Sequence, residues 1–193
     1  METSKANNNR AFTLIEMMVV VGIVIVITGL SFAGYKSGQS QYALQISAQE
    51  LASNLRRAQS MALSTVTQNG QAPAGGYGIY FNKATTDNSY ILFSDTKDTD
   101  FSNGYAYDVA DQPTDMVELK SGVKINIISI TQKGIISPFS SAYIIFTPPD
   151  PIITIGHERG NSADQLSITI NLNNAPTQTK TITINKFGKI DIK

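Results

Sequence analysis

The sequence contains no cysteine and a single histidine, His157, in 193 residues. The missing cysteines exclude a disulfide framework, a thiolate metal site and a thiol nucleophile. The lone histidine removes the usual multi-histidine metal and triad arrangements. Net charge is also missing, with 15 basic against 15 acidic side chains. No overall basic excess points to nucleic acid, and no acidic excess points to a solvating tail. Proline is absent from Phe12 to Gln71, so no ring interrupts a helix there. Charge is nearly absent from Phe12 to Tyr35, where Glu16 alone is charged.

That depleted stretch is the most informative one. About 20 consecutive apolar residues are what a bilayer-crossing helix needs. A carboxylate inside such a span is costly, so its presence asks for a functional reason. An interfacial glutamate reaching for the headgroups is the plainer alternative. Residues 1–11 are short, polar and mildly basic. Lys5 and Arg10 just before the span favour a cytoplasmic N-terminus, with the remainder delivered across the membrane. An ordinary signal peptide shares these features, and Ser31-Phe32-Ala33 is a passable cleavage site for one. The apolar run is longer than the roughly 7–15 residues of a typical signal core. A carboxylate near its start also has no role in a discarded segment. A retained anchor is therefore the main competitor to a signal peptide.

The residues Ala11-Phe12-Thr13-Leu14-Ile15-Glu16 resemble the type IV prepilin cleavage motif. In that family a small residue precedes the cut, a phenylalanine begins the mature chain, and Thr-Leu-Ile-Glu leads into a long apolar helix. The resemblance implies that prepilin peptidase, a membrane aspartic protease, cuts between Ala11 and Phe12 and N-methylates Phe12. Ala11 stands where glycine is usual. The resemblance also implies that Glu16 neutralises the N-terminal amine of a neighbouring subunit during filament assembly. Such a pairing acts as a register device more than a source of stability. Family major subunits often carry a proline partway along this helix, where this chain has Ala33.

Beyond Tyr35 the pattern changes. Leu44, Ala48, Leu51, Leu55, Ala58, Ala62 and Val66 recur at helical spacing and predict an amphipathic helix. From Gln68 onward the signals are β. Tyr77–Phe81 and Tyr90–Phe93 read as a hairpin, Val123–Ile127 alternates until Ile128 breaks the pattern, and Leu166–Leu172 alternates cleanly. Ala142–Phe146 reads as a buried strand stopped by the prolines at 148, 149 and 151. Thr181–Asn185 and Lys189–Ile192 flank a turn at Gly188. Strands in a run after one helix predict an α+β fold, a long helix packed on antiparallel sheet. The expected divisions are a leader at 1–11, a transmembrane and assembly helix at 12–35, an amphipathic helix at 36–67 and a β-rich domain at 68–193. The helix around Leu51–Ala62, with Tyr77–Phe81, Leu92–Asp95 and Phe146-Thr147-Pro148, is similar in pattern to minor pseudopilins of the type II secretion H type and to fimbrial minor pilins.

Other candidate chemistry is thin. Asp95, Asp98 and Asp100, with Asn103 and Asp108, form an acidic loop that offers weak calcium ligands, although polar turns use the same residues. Ile155–Gly160 around His157 reads as exposed loop, and Arg56-Arg57 as a solvated helix face. Some related fimbrial subunits take up DNA through a basic C-terminal patch. Here Gly188-Lys189-Ile190-Asp191 lacks its arginines, so nucleic acid is not an expected partner. No nucleophile and base stand out, so no enzyme activity and no cofactor are expected. The resemblance implies as partners prepilin peptidase, other pilin or pseudopilin subunits, the inner-membrane assembly platform and membrane lipid. It implies a single-pass protein of the cytoplasmic membrane, with the C-terminal domain outside the cytoplasm. The alternatives are a signal-anchored β-rich binding module, a DNA-uptake minor pilin, or a secreted hydrolase.

Overall fold

A computed structural model describes residues 12–64, 73, 75–95, 107, 112–148, 152–157, 160 and 163–193, with the side chains of 32–37 and 112 left aside. The chain divides into two compact units, residues 1–39 and 40–193. Helix α1 spans Leu14–Leu63, as the lack of proline allows. In the first unit every described side chain from Phe12 to Ser31 is exposed. Thr28 and Ser31 donate their hydroxyls to the carbonyls of Val24 and Ile27, so two of its few polar groups are satisfied within the helix.

The second unit is built on two five-stranded antiparallel sheets. The strands are β1 (Gly76–Asn82), β2 (Ser89–Asp95), β3 (Gln112–Glu118), β4 (Val123–Gln132), β5 (Ile135–Phe139), β6 (Ser141–Thr147), β7 (Ile152–His157), β8 (Gln165–Leu172), β9 (Thr179–Asn185) and β10 (Ile190–Ile192). One sheet has the order β3-β2-β1-β6-β7, and the other β10-β9-β8-β4-β5. The inward residues of both sheets share one core with the α1 stripe. That stripe is Leu44, Ala48, Leu51, Leu55, Ala58 and Ala62, joined by Ala52. Val66 lies outside the described residues. The four alanines shorten the distance at which the helix backbone can pack. Polar contacts fix the same face. Ser47 Oγ accepts the Lys120 N–H at 3.1 Å, and the Asn54 amide donates to the Tyr90 hydroxyl at 2.7 Å. The α+β expectation holds.

The β1–β2 hairpin and the Ile127-Ile128 irregularity are both present. The β4–β8 register shifts between Ile125 and Ile127. The bulge frees backbone groups that the β1–β2 turn satisfies. The Asp87 carbonyl accepts the Ile125 N–H, and Lys83 Nζ donates to the Asn126 carbonyl. The two sheets are thus pinned to each other where β4 is irregular.

One sequence expectation is corrected, and one strand was unforeseen. Ile155–His157 is not exposed loop. It ends β7, where Ile155 is buried and pairs with Ile144 on β6. The prolines at 148, 149 and 151 stop β6, but they do not prevent the chain from pairing again beyond them. Strand β5 was hidden by Pro138, which argues against a central strand. It lies at a sheet edge, where a missing N–H is tolerated.

The first sheet is buried on both faces. Phe93, Tyr143 and Ile145 pack on the face away from α1, together with Tyr80, Ile91 and Tyr107. Tyr107 stacks on Tyr80 with ring centroids 4.9 Å apart and meets Phe93 edge-on at 5.2 Å. Gly156 lies opposite Tyr143, and a Cβ there would come within 2.1 Å of the tyrosine ring.

Candidate functional site at the N-terminal helix

The start of α1 is built by Thr13. Its carbonyl accepts the Met17 N–H, and its Oγ1 accepts the Glu16 N–H, each at 3.3 Å. Thr13 is therefore the N-cap, and Glu16 is the third residue of the first turn. The spacing Thr13-x-x-Glu16 is the capping-box pattern, a local signal overshadowed in the sequence by the apolar run that follows it. A carboxylate in the first turn also favours the helix macrodipole, by about 0.3–1 kcal/mol at an exposed site.

Glu16 is exposed, and no cation among the described residues is bonded to it. It opens a helical stretch, Leu14–Ser31, long and apolar enough to cross a membrane, none of it buried by the rest of the chain. So much uncovered apolar surface marks a segment made for lipid or for other helices. Phe12 lies two residues before the helix and is exposed, whereas Ala11 lies outside the described residues.

The other candidates do not converge. Asp95 ends β2, where its carbonyl accepts the Gly75 N–H. Asp98, Asp100, Asn103 and Asp108 lie outside the described residues, so the calcium expectation falls mostly there. Arg57 approaches Asp115 at 3.9 Å with both side chains half exposed, and Arg56 is exposed. Lys189 reaches Asp191 at 2.9 Å, and Lys186 reaches Asp164 at 2.8 Å. These lysines of the C-terminal end already face carboxylates, which weakens any phosphate attraction there.

His157 has an unforeseen setting. Its ring stacks on Phe139, centroids 3.9 Å apart, so the end of β7 touches the end of β5. Beside them lies a groove of about 360 Å³ lined by Ile130, Gln132, Lys133, Ile135, Ser137, Phe139 and His157. The β4–β5 hairpin supplies all of these residues but His157, and no signal in the sequence joined His157 to them, because β7 belongs to the other sheet.

Residues 6–32 match the model of the prokaryotic N-terminal methylation motif. The match covers the capped helix start, Glu16 and the uncovered apolar span, and supports a type IV pilin-like N-terminus of the kind prepilin peptidase processes. No curated protein and no solved structure matches the chain.

Proposed function

We propose that this chain is a minor pseudopilin or minor pilin, a structural and non-enzymatic subunit of a type II secretion pseudopilus or type IV pilus-like filament. The observation that carries the reading is the coincidence of the methylation motif with an exposed, apolar, capped helix bearing one carboxylate. Cleavage after Ala11 would place a new ammonium at Phe12, next to the positive end of α1. That placement is electrostatically unfavourable by itself, and in hydrocarbon more so. Glu16 is the compensating charge. In the membrane it waits near the headgroups. In a filament it pairs with the Phe12 amine of a neighbouring subunit, so a subunit set in the wrong register leaves two charges unpaired in an apolar core. The β-rich unit stays outside the cytoplasm and meets neighbouring subunits or cargo. Its resemblance in pattern to H-type minor pseudopilins favours a secretion machine.

The first test is the mass of the mature N-terminus. N-methyl-Phe12 is expected, and a start at Gly34 or an intact Met1 would overturn the reading. The second is Glu16→Leu in the native host. Processing and membrane insertion are expected to persist while incorporation into filaments falls at least tenfold. Normal incorporation would remove the pairing mechanism.

A further inference from the structure

The outer edge of β5, which pairs with no described strand, is a second candidate surface, in the other unit of the chain. Strand β5 pairs with β4 on one side and ends its sheet on the other. The pairing Gln132↔Ile135 closes a two-residue turn at Lys133-Gly134, both with positive φ. In such a hairpin the closing pair exchanges both of its backbone bonds, and the bonded pairs alternate from there. Ile135, Ser137 and Phe139 therefore spend their backbone groups on β4, while Ile136 and Pro138 turn theirs outward. The edge presents the Ile136 N–H and the carbonyls of Ile136 and Pro138. Ile135 and Ile136 are 69% and 70% exposed. On the inner face beside this edge lies the groove floored by Ile130 and walled by Phe139 and His157.

We propose that β5 takes up a short extended segment of a different protein, which adds as an antiparallel strand and seats one bulky apolar side chain in the groove. The geometry selects this occupant over a second copy. Paired with itself about a twofold axis, β5 makes two bonds if Ile136 faces Ile136, and the register that uses both outward residues sets Ile136 against Pro138 of the other copy. Each proline then fails to donate, and two of the four edge hydrogen bonds are lost. A different strand loses only the single donor that Pro138 lacks and makes three. The partner residue lying between its two bonded positions faces inward, toward Ile135 and Phe139. Lys133 lines this groove, and no described lining residue is acidic. Asp164, which accepts the Lys133 N–H at the turn, is also engaged by Lys186. A segment with an aspartate or glutamate flanking its apolar residue is therefore the best fit. The inference does not depend on the filament reading, and its test leaves residues 1–39 untouched.

The test uses the full chain in detergent micelles and a synthetic heptapeptide of alternating threonine and apolar residues, with phenylalanine at its centre and aspartate at one end. Amide hydrogen exchange at Ile136 is expected to slow at least tenfold at millimolar peptide. A peptide N-methylated at the residue that bonds Ile136 should give no protection. Pro138→Val, which restores the missing donor, should turn a monomeric β-rich unit into a concentration-dependent dimer. Unchanged Ile136 exchange with the peptide overturns the proposal. So does protection that grows with protein concentration in the absence of peptide, which would instead make the occupant a second copy.

Discussion

Tyr90 and Tyr143 lie two strands apart in one sheet, facing opposite sides of it, and burial pushes the pKa of each up to about 12. Their hydroxyls differ. Tyr90 accepts the Asn54 amide from α1, whereas the buried Tyr143 hydroxyl has no partner among the described residues. Tyr90→Phe leaves that amide without its acceptor and should cost about 1–2 kcal/mol, while Tyr143→Phe should be neutral or stabilise by up to about 1 kcal/mol. Urea unfolding of the full chain in micelles reads both. Each folded-state pKa lies above the ordinary 10.0, so the unfolded chain releases these protons first. Their stabilisation is complete below about pH 10 and is lost as pH rises toward about 12, and either phenylalanine should blunt that loss. Asp164 has the opposite sign. Lys186 first, then the Lys133 N–H, hold its carboxyl below the usual value of 3.8. Its contribution is present above that value and disappears as pH falls through the lower, folded-state one. Asp164→Asn should therefore unfold earlier than the parent above the usual carboxylate range, and the gap should narrow as pH falls below it. A gap that stays constant with pH would mean that the carboxylate's charge is not what matters.

At the scale of elements, α1 does two jobs with two surfaces. Residues 14–31 are apolar on every side, which suits a helix that rests in lipid or among like helices. From Leu44 on, only one stripe is buried. Leu51 and Leu55 sit at the centre of that stripe, so Leu51→Ala should cost about 2–5 kcal/mol by leaving a cavity against the sheets. Thermal unfolding checks this, with Ser53→Ala on the exposed side as a control that should hardly move. In the sheets the corresponding site is Gly156. Gly156→Ala would drive a methyl into the Tyr143 ring and should cost about 1–3 kcal/mol, relieved when Tyr143 is also reduced to alanine.

On the scale of the whole chain, the core cluster begins at Leu44 and the second compact unit at Ser40. Among the described side chains, none before Ser40 belongs to the core cluster. A fragment of residues 40–193 should therefore fold alone in water and unfold in urea in a single transition coincident by fluorescence and circular dichroism. Two separate transitions, or a fragment lacking near-ultraviolet signal, would mean that the first 39 residues supply something the core needs. The same division would let the proposed assembly helix and the β-rich unit act separately.

The sequence alone determined the helix, its two characters and the chemistry of its start. Those features are written in neighbours: a period of 3.6 residues, an unbroken apolar run, and Thr13-x-x-Glu16 within one turn. It also determined the strands whose alternation is local, and it marked β4 as irregular where Ile127-Ile128 breaks that alternation, leaving a bulge or a doubly buried strand open until the register decided. Only the tertiary structure decided which sheet each strand joins, that β5 and β7 are strands at all, and that Phe139 and His157 meet. The reason is physical. An edge strand needs only half its backbone groups paired, so Pro138 can sit in one without a sequence pattern to announce it. A contact between the edges of two sheets depends on how all ten strands are ordered, and no local run of residues encodes that order.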